Sequence, residues 1–455
     1  MMSIRFYLAM FISRASFYIL KIFGKNASHF PGVVAQKICP DVLKYLEAPE
    51  IIVAVTGTNG KTTTTNMIVD FLAYKKVDFV SNTSGSNIEG GIISSLLRST
   101  SFFGKNKKDL AVFEVDERAS VHIFPYKKPD ILLVTNLGSD SYKRNAHVEY
   151  IFSILESSIP KTSHLLLNAD DVISSNLCKN NRRSYFSIAP QIFEEQITDS
   201  IIQDAPYCPI CNGVLTYKFK RYHHIGNANC ETCGYKLPKI DYEITEINDT
   251  EFKIVENNTI YSYKNKTGNI TDNYNKLAAI STLRQLGYQH SEIKASFDED
   301  VFKVTETRYD ISLINGKNII SILAKGQNPV ANSRVFDFIR KQPDWGSITL
   351  VFMNEESNHS YHINEVENTS WQYETDFEYL DHPNIKKIYC MGNRNLEVKT
   401  RLVLAGIDES IISLLDPSPI LDIEFTTDSV ILLHDTTNLD QVKVFRKTLE
   451  AEAAK

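Results

Sequence analysis

Two groups of residues in this 455-residue chain have types and spacings that chemistry can use. The first is Thr56-Gly57-Thr58-Asn59-Gly60-Lys61-Thr62-Thr63. Glycines let backbone N–H groups approach phosphate oxygens, and the N-terminus of a following helix adds partial positive charge. A lysine at this place reaches β- and γ-phosphates, and the next hydroxyl can ligate Mg²⁺. Gly57, Thr58, Asn59, Gly60, Lys61, Thr62 and Thr63 are therefore candidate phosphate-binding residues. Lys61 is also a catalytic candidate and Thr62 a candidate magnesium ligand. The generic pattern G-x-x-x-x-G-K-[ST] would place a glycine where this chain has Val55, so the loop is a shorter form. The second group is Cys208-Pro-Ile-Cys211 and Cys230-Glu-Thr-Cys233, a C-x₂-C-x₁₈-C-x₂-C array. Each pair offers two sulfurs on one side of a turn, and two such turns complete the tetrahedron of a structural zinc site. Two disulfides are the other use of the same thiols. Gly213 and Gly234 suit the tight turns. Tyr222, His223 and His224, between the pairs, read as surface residues, and Cys39, Cys178 and Cys390 as ordinary thiols.

The elements that must position the first group are legible around it. Ile51 to Val55 is a continuous apolar run suited to a buried parallel strand, and Thr64 to Ala73 has helical spacing. Strand, glycine loop and helix in that order are what a phosphate-binding loop requires. Leu110 to Glu117 puts acids at the end of another apolar strand, where open α/β sheets bind their ligands. Glu114 is thus a candidate catalytic residue and magnesium ligand. Ile131–Asn136 and Leu165–Asp171 repeat the apolar-then-polar theme, with Asn136, Asn168 and Asp170 expected to face the same crevice. Strands alternating with helices predict a parallel sheet with right-handed crossovers. Beyond about residue 310 the pattern stays α/β, with strands predicted at 348–352, 385–389 and 430–434 and a helix at 394–405.

Composition sets the outer bounds. Hydrophobic residues at 43% and charged residues at 23% exclude a disordered or fibrous chain. A net charge of −6 gives no reason to expect nucleic-acid binding. Seven cysteines, an odd number in a long chain, do not suggest a disulfide framework. The length suggests about three domains. Residues 5–23 are apolar, but Arg14 and Lys21 interrupt the run. Three readings stay open: a helix packed on the next domain, a basic interfacial helix resting on an anionic membrane, or a cleaved or spanning segment.

The motifs T-G-T-N-G-K-T-T-T, F-E-V-D-E, V-T-N and L-L-L-N-A-D-D together resemble the Mur ligases. That resemblance implies ATP and Mg²⁺ as cofactors and an acyl-phosphate mechanism, in which a carboxylate attacks the γ-phosphate and an amine then displaces phosphate. A cysteine ribbon within the central domain narrows it to the MurT family, subunits of lipid II isoglutaminyl synthase. Further matches are the segment from Pro31 to Leu46, the stretch Asp272–Ala279 with Tyr274 and Asn275, the turn Lys325–Pro329, and Thr369-Ser370-Trp371 followed by Asp376-Phe377-Glu378. The resemblance implies that Asn275 and Arg308 bind ATP. It implies a heterodimer with a GatD-like glutaminase, lipid II as substrate, zinc as a structural metal, and a cytoplasmic location at the inner face of the membrane. The family's catalytic Asp before T-S-W, which completes the partner's Cys-His pair, is Asn368 here, with Glu367 adjacent. Asn can accept a hydrogen bond from the His but supplies no negative charge to an imidazolium. The family's R-D-Q-M-D-R stretch is matched only at Asp140 and Arg144.

The expected architecture is α/β: an N-terminal helical segment over 1–48, a central Mur-ligase-like phosphate-loop domain over 49–305 with a parallel sheet and a zinc ribbon inserted at about 205–237, and a C-terminal Rossmann-like α/β domain over 306–455. The expected activity is ATP-dependent amidation of the α-carboxylate of D-glutamate in the lipid II stem peptide, giving D-isoglutamine. The alternative is a diverged paralogue that amidates or ligates another carboxylate without a glutaminase. A non-catalytic zinc-ribbon scaffold would not need the intact Gly60-Lys61-Thr62.

Overall fold

In the computed structural model, residues 4–83, 85–138, 147–266, 269–302, 309–324, 328–353, 369–392, 394–415, 426–435 and 439–453 are described. By internal contacts the chain forms two units. The first holds Met1–Gly138, Val148–Thr198 and Ala205–Lys303; the second holds Ser139–His147, Asp199–Asp204 and Val304–Lys455.

The first unit is built on a nine-stranded sheet. Its strands are β1 (Ile51–Thr56), β2 (Phe79–Ser81), β3 (Leu110–Glu114), β4 (Ile131–Val134), β5 (His164–Asn168), β6 (Arg183–Ile188), β9 (Tyr242–Ile247), β10 (Glu251–Glu256) and β11 (Thr259–Lys264). A separate hairpin, β7 (Thr216–Tyr222) and β8 (Ile225–Asn229), precedes β9. The sheet order is β11-β10-β9-β6-β5-β4-β1-β3-β2. Strands from β2 to β9 pair in parallel, and β10 and β11 close the edge antiparallel.

Period-two alternation sends Ile52 and Ala54 into one core and Val53 and Val55 into the other, so β1 is apolar on both faces. The first face carries α1 (Ile4–Ile22), α2 (Phe30–Ile38), α3 (Val42–Tyr45), α5 (Glu89–Ser99) and α7 (Val148–Ser158). The second carries α4 (Lys61–Tyr74), α8 (Ile270–Gln285) and α9 (His290–Asp298); a short turn of helix, α6 (Ser120–Ile123), follows β3. The crossing of α2 over α5 depends on small residues, because a Cβ on Gly32 would lie 1.9 Å from the Gly90 carbonyl oxygen. Of the readings of the amino-terminal run, packing is realised on one face: Phe6, Ala9, Met10 and Ser13 of α1 are buried.

The second unit has a six-stranded sheet of β12 (Tyr309–Ile314), β13 (Lys317–Leu323), β14 (Ile348–Phe352), β15 (Ile385–Cys390), β16 (Ile412–Leu414) and β17 (Ser429–His434), in the order β12-β13-β17-β14-β15-β16. Among the described residues only the β12–β13 pair of this sheet is antiparallel. Helices α10 (Pro329–Arg340), α11 (Asn395–Leu404) and α12 (Leu439–Ala453) complete it. The predicted strands lie within β14, β15 and β17, and the predicted helix overruns α11 by one residue at each end.

Candidate nucleotide site and cysteine ribbon

The glycine loop leaves the C-terminal end of β1, an interior strand between β4 and β3, and runs directly into α4. Two glycines are demanded by space as well as by backbone. Gly57 has φ +123°, and a Cβ there would lie 2.3 Å from Thr135 Oγ1; Gly60 has φ +86°, and its Cβ would lie 2.2 Å from Asn275 Oδ1. Both positions belong to the left-handed region that glycine enters without steric cost.

The segment after β4 holds the loop from the side. Thr58 N donates to Asn136 O at 2.8 Å, Asn59 N to Asn136 Oδ1 at 3.1 Å, and Asn136 Nδ2 to Asn59 O at 3.0 Å. Thr135 Oγ1 donates to Asn59 O at 2.7 Å, and Thr58 Oγ1 accepts from Gly138 N at 2.9 Å. Asn275, on α8, accepts from Thr64 Oγ1 at 3.4 Å. Thr62 is exposed and Thr63 half-buried at the first turn of α4. The sequence-derived loop residues and Asn275 thus come together.

The Lys61 ammonium donates to the Gly57 carbonyl and lies 2.9 Å from Glu117 Oε1. Glu117 is 1% exposed, and its Oε2 has no hydrogen-bond partner among the described residues. Burial pushes its carboxyl up from the ordinary value against the pull of Lys61. Glu114 ends β3 as a buried residue whose Oε1 accepts from Asn87 Nδ2 at 3.0 Å. Sequence reading carried the strand on to Glu117, but the strand stops at Glu114, and the following turn brings Glu117 to the loop. The second glutamate of F-E-V-D-E was the available signal.

Two expectations are corrected. Asp170 does not line the crevice. It is buried, accepting from Ser187 Oγ at 2.7 Å, Ile188 N at 3.0 Å and Tyr274 Oη at 2.6 Å, and Asn168 is buried beside it with Nδ2 on Thr135 O at 3.2 Å. Burial pushes the Asp170 carboxyl up, with Arg221 pulling the other way. His223 and His224 are not surface residues but 3% exposed, and Tyr222 is half-buried. The reason is that the hairpin docks on the end of β5: Gly226 N donates to Asp170 O at 2.8 Å, and His224 Nε2 meets Asp171 Oδ1 at 3.1 Å. Asp171 in turn accepts from Leu137 N at 2.6 Å, next to Asn136.

A second link runs through Arg221 on β7. Its guanidinium is buried, pairs with Glu194 through Nη2 at 2.8 Å, and donates to the hydroxyl of Tyr274, the neighbour of Asn275. Burial opposes the charge, but Tyr274, Glu194 and Asp170 outweigh it and keep Arg221 cationic. Local sequence carried no signal for either link.

The four ribbon cysteines are free thiols whose sulfurs all lie within 4.8 Å of one another. Cys208 and Cys233 are 3.6 Å apart and Cys211 and Cys230 3.5 Å, close to the roughly 3.8 Å spacing of a tetrahedral four-thiolate zinc site with bonds of about 2.3 Å. The two turns match: Cys208 N donates to Gly213 O and Cys230 N to Tyr235 O, at 2.8 and 2.9 Å. The left-handed residues are Asn212 and Gly234, whereas Gly213 is needed for close approach, since a Cβ there would lie 2.6 Å from Thr232 Oγ1. The donor set and its spacing fit structural zinc.

In the second unit, Trp371 and Phe377 are buried, and Glu378 pairs with Arg401 at 2.9 Å. Asn328 caps α10 through Ala331 N at 2.9 Å. Asp140, Arg144, Arg308, Lys325, Glu367 and Asn368 lie outside the described residues.

Comparison with known proteins accords with this geometry. Residues 55–204 match the Mur ligase middle domain, and residues 325–438 match the MurT ligase C-terminal domain. The chain is 30% identical to the lipid II isoglutaminyl synthase (glutamine-hydrolyzing) subunit MurT of Streptococcus pneumoniae, over 89% of this chain and 88% of that one. It is also 30% identical to the Staphylococcus aureus subunit of the same name, over 86% and 85%. Among solved structures, a pseudomurein peptide ligase type C from Methanothermus fervidus superposes with a TM-score of 0.65 at 18% identity, covering 90% of this chain and 81% of that one. MurF from Thermotoga maritima in complex with ADP gives 0.56 at 14%, covering 93% and 85%. At these identities the structural likeness speaks for the fold.

Proposed function

The chain belongs to the MurT family of Mur ligases, ATP-dependent enzymes of peptidoglycan synthesis, and from that premise we propose that it amidates the α-carboxylate of D-glutamate in the stem peptide of lipid II. The observation that carries the reading is the loop at Lys61, with two space-limited glycines, a helix start behind it and Asn275 against it.

In this reading a carboxylate oxygen of the substrate attacks the γ-phosphorus of ATP, and ADP leaves. Ammonia then attacks the acyl carbon, phosphate departs, and the nitrogen loses a proton to give the amide. Backbone N–H groups from Gly57 to Thr63 cradle the phosphates, and Lys61 exchanges Glu117 for phosphate oxygen. Mg²⁺ bound by Thr62 and Glu114 would offset charge on the transferring group. By the family resemblance Asn275 and Arg308 would bind ATP, and the four cysteines would hold a zinc ion that braces the ribbon. The domain boundaries at about 48 and 305 belong to the same reading, as does a cytoplasmic location at the inner face of the membrane.

Ammonia would come from a GatD-like glutaminase in a heterodimer, with Asn368 facing the partner's Cys-His pair. Cys-His-Asn systems are active because a thiol is more acidic than a hydroxyl. The test is co-purification with such a glutaminase and amidation of lipid II with glutamine or with ammonium. Partner binding and activity with both nitrogen sources support the reading; Lys61→Ala should abolish both activities, and Asn368→Asp should raise only the glutamine-dependent one. Activity with ammonium alone and no partner would instead favour a paralogue that works without a glutaminase.

A further inference from the structure

Helix α1 has two apolar faces, and only one is used. Phe6, Ala9, Met10 and Ser13 are buried in the unit. On the opposite side Ile4, Leu8, Phe11, Ile12, Ile19 and Ile22 are exposed, at 88, 49, 65, 38, 54 and 79%. Steps of three, four and seven along this set place them on one stripe of a helix with 3.6 residues per turn. The stripe continues sideways: Tyr7 packs on Phe102 and Phe103, each with ring centroids 6.3 Å away, and both phenylalanines are themselves exposed. A single exposed apolar side chain needs no explanation, but a contiguous stripe does.

Charge decides what covers it. From Ile4 to Pro40 the sequence has Arg5, Arg14, Lys21, Lys25 and Lys37 and no acid, in a chain whose net charge is −6. Arg14 is engaged within the unit, donating to the carbonyls of Leu97, Thr100 and Ser101 at 2.6–2.9 Å. Arg5, Lys21 and Lys25 are exposed at the two ends of the stripe. Among the described residues no helix is long and apolar enough to cross a membrane. An apolar stripe bordered by cations on a helix that does not span is the form of an interfacial helix on an anionic bilayer.

We propose that α1 docks the enzyme on an anionic lipid surface through Ile4, Leu8, Phe11, Ile12, Ile19 and Ile22, with Arg5, Lys21 and Lys25 at the headgroups. The packed face fixes the helix to the nucleotide-binding unit, so docking holds that unit at the surface. The choice of a bilayer rests in part on the reading that the substrate is lipid-linked.

The test is co-sedimentation of the full chain with phosphatidylglycerol-containing vesicles and with pure phosphatidylcholine vesicles. At least tenfold tighter binding to the anionic vesicles is expected, weakening as salt rises. Phe11→Ser with Ile19→Ser, and separately Arg5→Glu with Lys21→Glu, should each lower that binding at least tenfold. Both pairs should leave the melting temperature and the amidation of a water-soluble stem-peptide analogue unchanged, which separates failure of docking from failure of the amidation reading. Equal binding to both vesicles, no binding, or insensitivity to the variants overturns the proposal. So does a chain that dimerises in solution and becomes monomeric on Phe11→Ser with Ile19→Ser, since the stripe would then be covered by a second copy.

Discussion

Lys61 Nζ lies 2.9 Å from Oε1 of Glu117, a residue with 1% exposure, so the lysine of the phosphate loop is held by a buried acid rather than left in solvent. Nucleotide binding must draw Lys61 away from that acid. Glu117→Gln removes a negative charge from the neighbourhood of the phosphates, so ATP should bind about tenfold tighter, or about 1.4 kcal/mol. Turnover at saturating ATP should change less than threefold, because Lys61 has already left Glu117 in the ATP complex. Calorimetric titration with ATP and steady-state kinetics read the two effects. A rise in the Mg²⁺ concentration needed for half activity, expected for Glu114→Gln, would move the metal role to Glu117 if it appeared there instead.

Gly60→Ala combines a left-handed backbone with a Cβ 2.2 Å from Asn275 Oδ1. The variant should lose at least a hundredfold in ATP affinity while keeping its circular dichroism spectrum. Adding Asn275→Ala should not restore affinity, because it removes the clash but also a residue that binds ATP, and the strain at φ remains. Unchanged ATP affinity in the single variant would mean the loop does not hold phosphate.

The ribbon reaches the loop through Arg221 with Tyr274 and through His224 with Asp171. Protein purified without chelator should contain one zinc per chain by elemental analysis, and Cys230→Ser should contain none. Arg221→Met leaves Asp170 and Glu194 without their buried cation and should destabilise by about 3–5 kcal/mol. It should also weaken ATP binding, because Tyr274 precedes Asn275. Loss of zinc with no effect on nucleotide affinity would show that the ribbon is mechanically independent of the loop.

Burial pulls Lys127, whose amine donates to Leu43 O at 2.6 Å, down to about 8. An unfolded lysine titrates near 10.4. Below pH 8 both states carry the proton, and the folded state bears the cost of a buried charge. Between about pH 8 and 10.4 the unfolded chain binds more protons, so stability from this group rises with pH, by about 3 kcal/mol in total. Lys276 is pushed down to about 8 as well and adds a second rise of the same sign. Urea unfolding at pH 7.5 and 10.5 should show the rise shrinking in Lys127→Met and shrinking further when Lys276→Met is added. Equal pH dependence in all three proteins would place the ammonium of Lys127 in water.

What the sequence could reveal was what depends on neighbours along the chain. The run Ile51–Val55, the glycines after it and the helix start are local, and each is apparent from propensity and spacing. Thr58 and Asn59 followed from that frame, and Asn136 from its place at a strand end. Glu117 was hidden because its position depends on β3 stopping three residues earlier, at Glu114. Asn275 was found only through family resemblance, since α8 lies more than two hundred residues from the loop it touches. His223 and His224 read as surface residues because polar side chains between two cysteine pairs usually are. They are buried because the hairpin docks on the end of β5, where His224 meets Asp171. Asp170 was misplaced for the same reason: its partners Arg221 and Tyr274 arrive from distant segments.

The central claim is that the loop at Lys61 activates a carboxylate by transferring phosphate to it. Lipid II carrying ¹⁸O in the α-carboxylate of its D-glutamate tests this most directly, with ATP, Mg²⁺ and ammonium supplied. One ADP per amide formed and one ¹⁸O atom in each released phosphate are expected, with both lost in Lys61→Ala. Amide formation with unlabelled phosphate, or without ADP, would contradict the claim.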